Sequence, residues 1–216
     1  EGEIESGLFK MMAVGLGKKE GAEQYHRLGT QYSYAEIFPA VGKKVLETSR
    51  ILFGLAIVEN SREETARVEA LLPADFYLTE KSLLIQARQW AAHLPFDNLD
   101  LLIVDEMGKE ISGTGMDSSV IGRHCVQRFP LEPKVRWLFV RELSPQSDGN
   151  ALGIGMADFT TGRLVDRIDY SRMAVNAITS ANPDGARVPL TLDNDNEVIE
   201  TALGIIGLTP PDRARV

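Results

Sequence analysis

The chain has 216 residues and a formal net charge of −8 at neutral pH. Hydrophobic residues make up 44% of it and charged residues 25%, a composition typical of a globular protein that can bury a sizeable core. The negative charge argues against binding to nucleic acid or to an anionic membrane surface, because both attract basic patches. A small molecule or a protein is the partner that fits better.

Three further features bear on where the protein acts. The longest apolar runs, residues 51–58 and 99–104, are much shorter than the roughly 20 residues that cross a bilayer. Residues 1–5 lack the basic start and apolar core of a secretory signal, and they lack an initiating Met, so we expect the true N-terminus to lie upstream. Cys125 is the only cysteine, which excludes an internal disulfide and a thiolate metal cluster. We expect a cytoplasmic protein.

Hydrophobic patterning predicts the elements of the first half of the chain. Residues 5–16 mix apolar residues with glycines and predict a loop that enters a short helix near Gly21. Residues 35–46 carry apolar residues with a period near 3.6, which indicates an amphipathic helix. The continuous apolar run 51–58 predicts a strand buried on both faces, and residues 65–72 predict a second strand.

A domain boundary is predicted after the next helix. Thr79 is the expected N-cap of a helix over residues 80–93, and Pro95 lies just past its end. We therefore expect two domains, residues 1–94 and residues 95–216.

Strands and helices alternate in the second half. Residues 99–105 and 135–143 are rich in strand formers, and residues 151–158 are punctuated by glycine. Residues 197–206 have helical spacing that stops at Gly207. The pattern predicts an α/β fold, arranged as two α/β domains with a cleft between them.

Lys10 and His26 are the first candidate site residues. Lys10 is followed by two methionines and a valine, and an apolar setting of this kind would desolvate the amine and favour its neutral, nucleophilic form. His26 follows sixteen residues later and could bind a metal through its neutral nitrogen. The alternatives are an exposed lysine and a structural histidine.

Gly15, Gly17 and Gly21 surround a basic pair of lysines. Glycines at the start of a helix let backbone N–H groups approach a phosphate, so this segment is a candidate cofactor-binding loop. The dinucleotide-binding fingerprint is not met, because the third glycine comes one place late. Simple turning of the backbone is the alternative explanation.

The segment Glu-Ser-Gly-Leu-Phe-Lys over residues 5–10, followed by His26, resembles the nickel-dependent lactate racemase family and its wider set of racemase-domain homologues. Residues 105–117 and 149–161 also look like motifs of these homologues, so the resemblance extends over nearly the whole chain. It implies that Lys10 forms a covalent thioamide to a nickel-pincer nucleotide derived from nicotinic acid. It also implies that the histidine ligates nickel.

The resemblance implies an isomerase, a racemase or epimerase of small 2-hydroxy acids that takes a hydride from the substrate and returns it to either face. Members of the family have two glycines and an arginine before the lysine, where this chain has Gly7, Leu8 and Phe9. Their two acid–base histidines lie upstream of the lysine, and residues 1–9 contain none. We therefore expect a fragment without the N-terminal part of the cofactor-binding domain, inactive alone and without cofactor.

Other charged residues have two explanations each. The bidentate guanidinium of Arg123 could hold the carboxylate of a 2-hydroxy acid or a nucleotide phosphate, or it could form an ordinary surface salt bridge. Asp105 and Glu106, with Asp117 nearby in sequence, could bind a hard cation, could do acid–base work or could be solvated. The acidic segment 193–197 lacks a calcium-loop pattern and fits capping of the following helix.

A function from another class stays open beside the racemase. A non-catalytic small-molecule-binding or regulatory protein could keep the same scaffold, because fold does not determine function. Two upstream histidines in the complete gene product would favour the enzyme. The particular hydroxy acid and the oligomeric state are not determined by the sequence.

Overall fold

The computed structural model describes residues 3–4, 6–29, 31–125 and 132–216. Glu5 of the racemase-like segment therefore lies outside the described residues. The chain divides into two compact units, Glu1–Ala92 and His93–Val216, each with a hydrophobic core of its own. No helix in the described ranges is long and apolar enough to cross a membrane.

The N-terminal part of the first unit is helical almost throughout. Helix α1 (Gly7–Lys10) continues into one π-helical turn (Met11–Gly15), and helix α2 (Lys18–Gly29) follows. The loop predicted before Gly21 is therefore wrong. Three apolar residues with i, i+3, i+4 spacing face the core and favour the helix in spite of the glycines: Phe9, Met12 and Ala13.

Two longer helices complete the helical part of this unit. Helix α3 (Tyr34–Thr48) confirms the predicted amphipathic helix, and Glu36 accepts a hydrogen bond from the Ser33 N–H at its start. Helix α4 (Phe76–Trp90) begins before the predicted N-cap, so Thr79 lies inside its first turns. The start is earlier because residues 73–75 form a 3₁₀ turn and the side chain of the first helical residue is buried.

A two-stranded antiparallel sheet packs beside these helices. It pairs β1 (Gly54–Glu59) with β2 (Thr65–Leu71), which confirms the second predicted strand. The prediction that β1 is buried on both faces is wrong. Ala56 and Val58 are buried, whereas Leu55 and Ile57 are 54% and 61% exposed. A hairpin with helices on only one side buries alternate residues, and a continuous apolar run does not reveal this.

The second unit is built on a four-stranded parallel sheet with the order β3-β4-β5-β6. Its strands are β3 (Asn98–Met107), β4 (Lys134–Leu143), β5 (Phe159–Thr161) and β6 (Leu190–Leu192). The two long strands confirm the predicted ones. With its helices, the sheet confirms the predicted α/β class.

The described residues of this unit also form the helices α5 (Ser118–Ile121), α6 (Gly162–Val165), α7 (Tyr170–Thr179) and α8 (Asp195–Gly204). Side chains from the two faces of β4 enter different apolar clusters, since Leu138 lies in one and Phe139 in the other. Asn194 caps α8 by accepting a hydrogen bond from the Glu197 N–H, as expected for the acidic segment there.

Candidate functional site

The helix that carries Lys10 is capped by a residue far away in sequence. Ser6 makes no side-chain cap to α1. Instead, the Phe9 N–H lies 3.3 Å from both carboxylate oxygens of Glu80 in α4. Glu80 is only 4% exposed, and its burial raises its pKa to about 7, although the hydrogen bonds from the Phe9 and Leu8 backbone act in the opposite direction.

Gly7 makes room for this carboxylate. Its φ of +78° lies in the left-handed region, and a Cβ added there would overlap the Oε1 atom of Glu80. Two residues later, Phe9 is buried against Gly42 of α3 and makes an edge-to-face contact with Tyr77 at 6.0 Å between ring centroids. The apolar residues that precede the lysine in this chain therefore anchor α1 in the core.

Lys10 is exposed, at the C-terminal end of α1. The prediction that its neighbours desolvate the amine is wrong, because the two methionines that follow point in different directions. Met12 is buried, whereas Met11 is 61% exposed. Contacts of Glu80 and Phe9 thus hold the helix backbone next to Lys10, while the lysine side chain is accessible.

His26 lies on α2 and is half-buried. Its Nδ1 atom is 3.4 Å from the hydroxyl of Tyr34, a long and weak hydrogen bond. Tyr34 is itself held by stacking on Phe38, with 5.1 Å between ring centroids. In the tautomer whose Nδ1–H donates to this oxygen, Nε2 carries the lone pair that a metal would bind, which is the arrangement common among metal-binding histidines.

Of the three glycines near Lys10, Gly17 is the one at which backbone atoms pack too closely for a side chain. Gly15 ends the π-helical turn, and Gly21 lies inside α2, where its N–H donates to the Gly17 carbonyl at 2.8 Å. A Cβ on Gly17 would lie 2.8 Å from the Cα of Gly21. Close packing therefore explains Gly17, and the cofactor-binding role of the three glycines stays a prediction.

The two glycine-rich motifs of the second unit pack on each other. Gly115 and Gly153 both have positive φ, at +86° and +106°. A Cβ on Gly115 would overlap the Leu152 carbonyl, and one on Gly153 would overlap the Thr114 carbonyl. Residues 105–117 and 149–161, which carry the resemblance in this half, thus share one backbone contact.

Arg123 makes its ion pair and hydrogen bonds inside the second unit. Its guanidinium forms a 2.7 Å ion pair with Asp158 and bonds to backbone carbonyls on two segments. This arrangement favours the salt-bridge alternative, since a substrate carboxylate would have to displace these partners. The carbonyl acceptors are those of Met156, Val135 and Arg136.

The acidic candidates do not come together. Asp105 pairs with Arg141 at 2.6 Å, and Asp117 accepts a hydrogen bond from the Ser119 N–H as the N-cap of α5. Within the described ranges, no three His, Cys, Asp or Glu side chains are grouped closely enough to hold a metal ion. Among the residues that the structure describes, the arrangement therefore favours the solvated alternative over a cation site.

Sequence reasoning missed Glu80. One signal was present, because Phe76, Glu80 and Leu83 have the i, i+4, i+7 spacing of a single buried helix face. A carboxylate in an apolar stripe indicates a polar partner elsewhere in the fold.

Comparison with known proteins gives no match, since no family model, no curated protein and no solved structure matches this chain.

Proposed function

We propose that the chain is part of a racemase or epimerase of small 2-hydroxy acids in which Lys10 carries a nickel-pincer nucleotide. The observation that carries the proposal is the combination of an exposed lysine side chain with a backbone anchored by Glu80 and Phe9. Covalent attachment requires an accessible amine, and catalysis requires that the attached group be held in one place.

The described donors fit a cofactor that brings most of its own metal ligands. His26 would supply one ligand through Nε2, with the Tyr34 hydroxyl orienting its ring. No protein cluster near it could hold the metal alone, because the described residues contain no group of three ligating side chains. When bound, the nucleotide supplies a hydride acceptor for the substrate's Cα.

The remaining parts of the reaction are assigned by the same proposal. Histidines upstream of this chain would move the hydroxyl proton of the substrate, and a closed cleft between two domains would exclude water from the developing carbonyl. Gly15, Gly17 and Gly21 would lie beside the nucleotide, and Arg123 would contribute to substrate binding only after releasing an internal partner.

The test uses the complete gene product, expressed in a host that makes the nickel-pincer nucleotide. We expect intact-protein mass spectrometry to show added mass on the peptide that contains Lys10, and K10A to remove it. The matched control is K43A, since Lys43 is an exposed helical lysine of the same unit. H26A should keep the added mass but lose nickel and racemisation of a panel of 2-hydroxy acids that begins with lactate.

The binding-protein alternative predicts the opposite results. Wild-type protein from the same host would carry no added mass and would racemise none of the acids. Full racemase activity in K10A would also contradict the proposal.

A further inference from the structure

We propose that Glu80 is a positioning residue for Lys10, acting as an N-cap from outside the helix that carries the lysine. The inference rests on the proposed role of Lys10 as the attachment point. It extends that role to a residue on another helix that does not touch the cofactor.

Helix α1 needs support from outside its own sequence. It has only four residues before the π-helical turn, which is far too short to be stable by itself. The first N–H groups of a helix have no intrahelical acceptors, and Ser6 at the N-cap position supplies none. The Glu80 carboxylate accepts from Phe9 and Leu8 and so replaces the missing cap.

The same face of α4 also holds the segment before α1. Tyr77 donates a hydrogen bond to Glu3 at 3.2 Å, and Lys81 forms an ion pair with the same carboxylate. Tyr77, Glu80 and Lys81 have i, i+3, i+4 spacing, so they form one contact surface on the helix. Of the three, only Glu80 is buried, and its carboxylate accepts a hydrogen bond from the backbone of α1 itself.

The contact leaves little freedom to the lysine backbone. Any side chain at position 7 would overlap the carboxylate, so the turn before α1 fits closely around Glu80. Phe9 anchors the helix on its core side. Together the two contacts determine where the helix starts and how it is rotated about its axis, and these determine where Lys10 projects.

The experiment compares two substitutions of Glu80 with opposite expectations. Gln keeps an acceptor oxygen, whereas Met has similar length and fills the space without accepting a hydrogen bond. Both variants are made in the complete gene product and matured in the nucleotide-producing host. We expect E80Q to retain the added mass on Lys10, and E80M to reduce the modified fraction about tenfold, the equivalent of one lost charged hydrogen bond. Circular dichroism establishes that each variant is folded.

A second readout does not depend on the cofactor. Hydrogen exchange of the Leu8 and Phe9 amides is measured in protein from a host without the nucleotide. We expect E80M to lose about tenfold protection at these amides and E80Q to keep it. If wild-type protein is never modified but this pattern holds, the proposed function fails while the cap assigned to Glu80 remains.

Two results would overturn the inference. One is E80M with wild-type protection and wild-type modification of Lys10. The other is E80M with lost protection but full modification, which would make Glu80 a cap with no effect on the lysine. If E80M does not fold, G7A takes its place, since the added Cβ displaces the carboxylate while Glu80 is retained.

Discussion

Replacing Glu80 by Gln should remove a pH-dependent loss of stability from the first unit. Burial raises the pKa of this carboxyl from its ordinary value of 4.5 to about 7. The folded unit therefore binds the proton more tightly than the unfolded chain does, so the stabilisation is complete below about pH 4.5 and is lost as the pH rises through 7. Each unit of difference between the folded and the unfolded pKa corresponds to about 1.4 kcal/mol, so the loss is about 3 kcal/mol. Solvent screens it little, because the side chain is 4% exposed.

Urea denaturation between pH 5 and pH 8 measures this loss. Trp90 lies in α4, and W137F removes the tryptophan signal of the second unit, so fluorescence then reports the first unit. The free energy of unfolding should fall with pH in this background and should stay nearly level when E80Q is added. E20Q, at an exposed acid of α2, is the matched control and should keep the wild-type slope. An equal slope with and without E80Q would show that Glu80 does not cause the loss of stability.

Carboxyl groups with lowered pKa act in a different pH range. Hydrogen bonds from Lys81 and Tyr77 lower the pKa of Glu3, and hydrogen bonds from Ser33 lower the pKa of Glu36. Their contribution is present above the ordinary carboxyl pKa and is lost as the pH falls through the lowered one. Of these three carboxyl groups, Glu80 is therefore the one whose titration changes the free energy of unfolding between pH 5 and pH 8.

Three further predictions concern packing and use the same denaturation assay with the tryptophan of the relevant unit. G153A should cost the second unit about 3 kcal/mol, since a Cβ would overlap the Thr114 carbonyl at positive φ, and a cost near zero would contradict this contact. R123K should cost about 2 kcal/mol because an ammonium cannot replace the planar guanidinium, and wild-type stability in this variant would argue against its internal role. V58A should cost about 2 kcal/mol and I57A less than about 0.5 kcal/mol, whereas equal costs would contradict the one-sided hairpin.

Local pattern was sufficient for the elements whose own residues determine them. The amphipathic period of α3, the apolar runs of β3 and β4, and the capping segment before α8 all predicted what the structure contains. The local pattern failed where contacts with other segments determine the structure. The glycines between Gly7 and Gly21 predicted a loop, whereas packing of apolar residues in the core of the first unit favours a helix.

The candidate site likewise combines residues that the sequence predicted with contacts that it did not. Lys10 and His26 came from the motif and its spacing, and their functional roles stay predictions. The cap on α1 could not be derived from the motif, because Glu80 lies 71 residues from Phe9. The contact between His26 and Tyr34 depends on the packing of α2 against α3.

Residue type and short-range spacing were enough to indicate the composition class, the residues of the racemase-like motif and the approximate positions of α3, β2, β3, β4 and α8. Tertiary structure alone decided which face of β1 is exposed, which partners occupy Arg123 and which carboxylate holds the lysine-bearing helix. Each of these is a contact between segments distant in sequence, and it forms only when the core brings them together. The desolvation that raises the pKa of Glu80 arises in the same way, since burial belongs to the fold and not to the residue.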